Sequence, residues 1–519
     1  MKAGTPGSRR VLVVGAGPGG LTCAMILARR GVSVTVLEAE PQVGGRNAAI
    51  RLGPYTFDTG PTFLMLKDIL DEVLAEAGAT TADVLQAFPL DPMYRLQFRD
   101  RTVNVASDAA RMCAEIERVF PGKGARLEKF MQREKTRFTR LYPCLQKSYH
   151  RATTLLHPDL LRALPHLALG RSLYDIMFGY FGDEQLALTF TFQAKYIGMS
   201  PWECPGLFSI IPYIEHAYGI YHTTGGLSRI SDAMADVARR NGAEIRLSTP
   251  VKQVLVRDGA ARGVELEDGS RLEADDVVIN ADFGYAMTHL IPRGTLRKWS
   301  PENLARRRFS CSTFMLYLGL DTVYRELPHH LIYLSNGARR TDRDALEDRA
   351  ADLEDPPFYV VNPNVTDPAG APEGHSAIYV LVPTPNTHGG HDWKRIEQEL
   401  TAKVPGWLAK VGMKDVAKHI KAQRAFTAET WRDDFNVHRG AVFNLSHTWL
   451  QLGPLRPKVK SPDIEGLYWV GGGTHPGSGL LTIMESANIA ANYVSQQLGR
   501  GSLEAWPYVP PAGSLPVST

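Results

Sequence analysis

The sequence predicts an α/β fold: a Rossmann-like dinucleotide-binding domain assembled from separated stretches, with an α+β domain and a helical cap inserted between them. Three observations carry this prediction. An apolar run, a glycine turn and a helical pattern open the chain, and a second apolar run ends on an acid. A second glycine-rich turn feeds another helix close to the carboxy end. Between the two, short apolar runs alternate with polar turns in strand-like spacing.

The opening element has the stronger signature. Residues 11–14 are an apolar run, followed by Gly15-Ala16-Gly17-Pro18-Gly19-Gly20 and a helical pattern over 21–30. Gly15 allows the tight turn off the strand, and Gly17 lets backbone approach a pyrophosphate. Gly20 lets the helix pack closely on the sheet, so that its positive amino end faces the phosphates. The second run, 34–37, ends at Glu38, about twenty residues on, where a carboxylate can accept the ribose hydroxyls. A lone G-x-G-x-x-G is weak evidence; here strand, helix and acid accompany it. Gly44-Gly45-Arg46 then places two flexible positions and a guanidinium near the same pyrophosphate, although Arg46 also fits a plain surface role. The segment Phe57-Asp58-Thr59-Gly60-Pro61-Thr62 combines turn formers with a small hydroxyl residue.

Composition narrows the class. At 519 residues the chain exceeds one simple core. With 44% apolar and 22% charged residues it has the make-up of a globular protein, and a net charge of +3 is too small to imply nucleic acid. Five scattered cysteines show no C-x-x-C pair, which argues against metal and disulfide roles and fits a reducing, cytoplasmic setting. No window has about twenty uninterrupted apolar residues, so any membrane contact is expected to be peripheral.

From 67 to 181 the chain turns basic and amphipathic, with helical spacing at 69–77, 111–120 and 127–145 and a mixture of leucines, prolines and aromatics over 157–181. Such a stretch can lie in a lipid interface or cap the core, and pattern alone leaves both open. A helix is expected over 227–240, then strands over 244–247, 251–257, 263–266 and 276–280. Residues 310–320 read as one long strand, too apolar for an exposed edge. His329 and His330 lack a third ligand at a sensible spacing and are read as structural. Glu215 and His216 each suggest a base, but a hydrogen-bonding role is favoured. Near the carboxy end a strand over 466–470, the turn Gly471-Gly472-Gly473-Thr474-His475-Pro476-Gly477 and a helix over 481–497 offer a second place for negative charge.

The glycine turn, the acid and the G-G-R element resemble the amino-terminal signature of the FAD-dependent amine oxidase and carotenoid desaturase superfamily. Phe192-Gln193 with Tyr196-Ile197-Gly198-Met199-Ser200-Pro201, Glu215-His216-Ala217-Tyr218-Gly219, Gly225-Gly226-Leu227 and Gly473-Thr474-His475-Pro476-Gly477 narrow the likeness to bacterial and fungal phytoene desaturases, over about residues 10–500. The resemblance implies FAD as cofactor and a glutathione-reductase-like FAD domain. It implies cofactor contacts at Gly15, Ala16, Gly17, Gly20, Glu38, Ala39, Gly45, Arg46, Gly60, Pro61, Thr62, Val251, Gly472, Gly473 and Met484, with Val251 meeting the adenine through its backbone. No catalytic base or metal ligand is assigned. Implied boundaries are 1–66, 223–295 and 459–500 for the FAD domain, 67–181 for a helical region, 182–222 and 296–458 for the substrate domain, and 501–519 for a tail. Two departures stand out: Gly473-Thr474 replace the acid that many superfamily members carry, and Leu480-Leu481-Thr482 lacks the proline common in carotenoid members.

The implied activity is desaturation of phytoene or diapophytoene, a carotenoid hydrocarbon drawn from a membrane surface, with oxygen or quinone as final acceptor. Later carotenoid steps (3,4-desaturation, ketolation or isomerisation), amine oxidation and an FAD-less prenyl-binding escort are the rivals.

Overall fold

The computed structural model describes residues 9–335 and 354–497; the tail assigned to 501–519 lies outside them. The chain begins with the strand Arg10–Val14, the helix Pro18–Arg29 and the strand Ser33–Leu37. These sit in a five-stranded parallel sheet whose order is Leu467–Trp469, Asp276–Ile279, Arg10–Val14, Ser33–Leu37, Glu244–Arg246. Its strands come from three separated stretches of chain. The helices Ser228–Arg240 and Leu480–Gln496 pack on Pro18–Arg29 and bury a continuous apolar face, with Met25, Met234, Met484 and Ala490 fully inaccessible. A three-stranded antiparallel sheet, Val251–Arg257, Ala260–Leu266 and Arg271–Glu273, lies beside this layer.

The second domain centres on a seven-stranded sheet. Its order is Ile420–Phe426, Ser312–Leu320, Ser376–Thr384, Phe358–Val361, His330–Tyr333, Tyr94–Gln97, Thr102–Val105. All neighbours run antiparallel except His330–Tyr333 with Tyr94–Gln97. Ser312–Leu320 is buried along its whole length and paired on both sides, as its apolar character requires. The hairpin Tyr94–Val105 corrects the helical expectation over 67–181, because these residues extend the seven-stranded sheet. The helix Arg126–Leu145 does form there, burying Phe130, Met131, Phe138 and Leu141 on one face.

Candidate active site

A cavity of about 770 Å³ runs from the first glycine turn to the seven-stranded sheet. Of the residues singled out in the sequence, Gly15, Gly17, Glu38, Ala39, Gly45, Arg46, Gly60, Pro61, Thr62, Val251, Gly472 and Gly473 line it. Three do not. Ala16 is buried behind the turn and donates its backbone N–H to Glu38 Oε2 at 2.6 Å. Gly20 packs against Val13 and Gly15. Met484 sits in the core, and its neighbour Ile483 takes the place at the cavity wall.

Glu38 ties the turn to the end of the second strand. Its two oxygens accept Ala16 N and Glu40 N, the latter at 3.0 Å, and burial raises its pKa above the ordinary carboxylate value. Gly17 and Gly45 face each other across the turn: a Cβ on Gly45 would meet only the Gly17 Cα, 3.7 Å away. Bare backbone therefore lies where a pyrophosphate needs close approach. Asn280, which follows the strand Asp276–Ile279, carries no mark in the sequence pattern. Its side chain lies over the turn and donates to Gly15 O at 3.3 Å, so a Cβ on Gly17 would come within 2.9 Å of its Nδ2. Gly17 is thus bare for a side chain as well as for a ligand.

Arg46 is built into the wall. It donates to Val442 O at 2.6 Å and faces Asp282 at 3.8 Å, joining the first glycine region to the segment before the second. That second turn has its own support. Arg456 is wholly buried, with its guanidinium donating to the carbonyls of Gly472 (2.6 Å), Thr474 (3.1 Å), Gln451 (3.2 Å) and Leu445 (3.3 Å). Burial lowers its pKa to about 9, which leaves it charged at neutral pH. Nothing in the Pro454-Leu455-Arg456-Pro457 loop marks that role in sequence.

At the other end the lining is apolar and aromatic, with Met315, Ile332, Leu381, Phe426, Trp431 and Phe435 among the contributors. Lys195, Tyr196 and Tyr359 interrupt it; burial lowers the Lys195 ammonium pKa to about 8. Glu215 and His216 lie behind the wall. Glu215 accepts Tyr94 Oη at 2.9 Å and Gln193 Nε2 at 2.7 Å, and burial pushes it up to about 7. His216 Nδ1 meets Ala106 O at 3.0 Å and is pushed down to about 4 by burial. Both therefore act in hydrogen-bonded packing. Among the described residues no group of three or more histidine, cysteine or acidic side chains is placed to hold a metal.

The model of the flavin-containing amine oxidoreductases matches residues 18–495. An all-trans-ζ-carotene desaturase of Myxococcus xanthus is 51% identical over 97% of this chain and 96% of its own. A 4,4'-diapophytoene desaturase of Methylomonas is 46% identical over 94% and 96%. The chain belongs to the carotenoid desaturases of the flavin-containing amine oxidoreductase family. Solved structures agree on the fold: an oxidoreductase from Methanosarcina mazei superposes with a TM-score of 0.64 at 18% identity, covering 92% of this chain and 99% of that one. A putrescine oxidase gives 0.63 at 14%, covering 94% and 99%.

The cofactor of this FAD-dependent oxidoreductase has a matching cradle in the chain: the bare Gly17–Gly45 turn, the Glu38 carboxylate and the second glycine turn held by Arg456 all border the one cavity.

Proposed function

We propose that the protein is an FAD-dependent carotenoid desaturase, acting on a phytoene-, ζ-carotene- or diapophytoene-type polyene and introducing conjugated double bonds. The observation that carries this reading is the continuity of the cavity. The same space is walled by the two glycine turns at one end and by an apolar sheet face at the other. Relatives at 51% and 46% identity named as desaturases favour this over a later carotenoid modification.

Bound FAD supplies the two-electron oxidant that accepts a hydride from carbon. The chain's share is to hold, orient and keep dry. The residues of the two glycine turns and the Glu38 carboxylate hold the nucleotide, and the sheet face aligns the polyene and excludes water. Oxygen or a quinone then accepts the electrons.

The substrate has no polar handle. At about 0.8 kcal/mol per methylene, a forty-carbon chain is held out of water by on the order of 30 kcal/mol, so it resides in a bilayer. No helix among the described residues is long and apolar enough to cross a membrane. The protein therefore docks peripherally, and its exposed apolar side chains support one side for that contact. Among the described residues they fall in two stretches, 155–178 and 450–455, with Leu156 at 74% and Leu450 at 76% exposure. Contacts between Phe208 and His447, and from His475 to Leu145 O and the Tyr149 ring, join segments that neighbour the two stretches. This narrows the lipid-facing region to part of 67–181 and adds a loop that sequence pattern did not suggest.

Expression in strains that accumulate phytoene, ζ-carotene or diapophytoene, followed by pigment analysis, tests the reading. A more desaturated product in at least one strain supports it, and unchanged polyene in all three contradicts it.

A further inference from the structure

A polar line crosses the apolar wall of the cavity and ends in a buried carboxylate. Tyr359 lines the cavity, and its hydroxyl lies 2.7 Å from Nδ1 of His330. The two strands pair antiparallel with Ile332 opposite Tyr359, so His330 and Tyr359 are diagonal neighbours on one sheet face. Phe63 packs on both rings, at 4.5 and 5.7 Å. Behind His330 stand His329, at 4.3 Å between ring centroids, and His222, at 4.5 Å from His329. His222 Nε2 reaches Asp367 Oδ2 at 3.0 Å.

Two features mark this line as more than packing. His330 and His329 are 1% and 3% exposed, and the Nε2 atom of each has no hydrogen-bond partner among the described residues. Burying unsatisfied polar atoms is costly, and here one of the two orphaned rings is hydrogen-bonded to a side chain that reaches the cavity. Thr62, which lines the main cavity, also borders a chamber of about 30 Å³ shared with Asp58, His222, His329 and Asp367. That is room for about one water.

Desaturation supplies a proton that has to leave this wall, an inference that rests on the desaturase reading. Two hydrogens leave adjacent carbons, one as a hydride and the other as a proton. We propose that Tyr359 and His330 take up that proton. The C–H bonding pair becomes the new π bond and the proton passes to Tyr359 Oη. Tyr359's own proton moves along its hydrogen bond to His330 Nδ1. Cationic polyene and neutral imidazole thus become neutral polyene and imidazolium. Once product has left, His330 returns the proton through Tyr359 Oη to the cavity, because its Nε2 has no onward hydrogen bond among the described residues. Burial holds His330 and His329 well below the ordinary imidazole value, so His330 is neutral when it accepts and does not retain the proton. Of the charged and titratable groups facing the line, His329 and His222 disfavour the His330 imidazolium, while Asp367 favours that of His329 alone. Asp58 faces His222, and Tyr379 lines the same chamber.

The test uses purified FAD-loaded protein, ζ-carotene or diapophytoene in liposomes, and anaerobic single turnovers. Tyr359→Phe keeps the ring and removes the acceptor; His330→Gln keeps a polar group of similar length. The expected result is a rate loss of about 100-fold for Tyr359→Phe at unchanged FAD content. Polyene deuterated at the carbon that loses the proton then shows a larger isotope effect in both variants than in the wild type. A merely structural role misplaces the substrate and slows turnover without that change. Rates within about twofold of wild type, or slower rates with an unaltered isotope effect, overturn the proposal. Wild-type protein inert toward every polyene overturns the desaturase reading itself.

Discussion

Replacing Gly20 by alanine probes how closely the first helix is seated on the sheet. Gly20 lies in the helix Pro18–Arg29, directly over the turn that leaves the first strand. A Cβ there would fall on the carbonyl oxygen of Gly15, far inside contact distance, and within 3.2 Å of both Asn280 Cβ and Val13 Cγ1. The Gly15 oxygen is backbone and already accepts Asn280 Nδ2, so it cannot rotate aside. Relief requires the helix to lift or the turn to reshape, and both displace the cradle. Overpacking of this kind costs about 1–3 kcal/mol, and a backbone obstacle puts the case at the upper end. If the same displacement is felt by the cofactor, about 3 kcal/mol corresponds to roughly a 100-fold loss of FAD affinity. The assay is the flavin-to-protein absorbance ratio of wild type and variant purified side by side, followed by FAD titration of the stripped proteins. A variant with wild-type flavin content and affinity refutes the idea that this helix end is seated against Gly15 and Asn280.

Three further outcomes are expected. Gly406 lies in the helix Trp393–Lys410, where an added Cβ would meet nothing within 4 Å, so Gly406→Ala should stabilise by about 0.5–1 kcal/mol in thermal or urea unfolding; destabilisation would contradict the open geometry. Glu215 has a folded pKa raised from 4.5 to about 7, so its contribution is fully present below pH 4.5 and lost as pH rises through 7. Glu215→Gln should therefore flatten the fall in melting temperature between those values, with about 3 kcal/mol at stake, whereas parallel curves for the two proteins would count against a buried, neutralised carboxyl. Leu156→Ser combined with Leu450→Ser should lower flotation with anionic vesicles while leaving flavin content unchanged, and undiminished flotation would move the docking surface elsewhere.

The nucleotide end was legible because its chemistry is local. Gly15, Gly17, Glu38 and Arg46 lie within one short stretch, and the fold brings all four to the wall of one cavity. What escaped was set by contacts between distant segments. Asn280 and Arg456 act on glycine turns from other parts of the chain, and neither carries a mark in its own neighbourhood. Met484 shows the converse: the helix was expected, but its rotation, decided by packing on Pro18–Arg29, turns Ile483 to the cavity. The strand Tyr94–Gln97 was hidden because it is four residues long and its parallel partner, His330–Tyr333, lies far along the chain. Glu215 and His216 each suggested a base in sequence, with a hydrogen-bonding role favoured, and their partners Tyr94, Gln193 and Ala106 fit that role.

A carotenoid desaturase of this family passes electrons from its polyene into FAD. Mixing the purified holoprotein anaerobically with liposomes carrying ζ-carotene or diapophytoene tests that transfer most directly, with flavin absorbance and extracted pigment followed together. The oxidised flavin band should disappear in step with one new double bond per flavin. Flavin that stays oxidised with every polyene offered, or pigment that forms while the flavin band is unchanged, would contradict it.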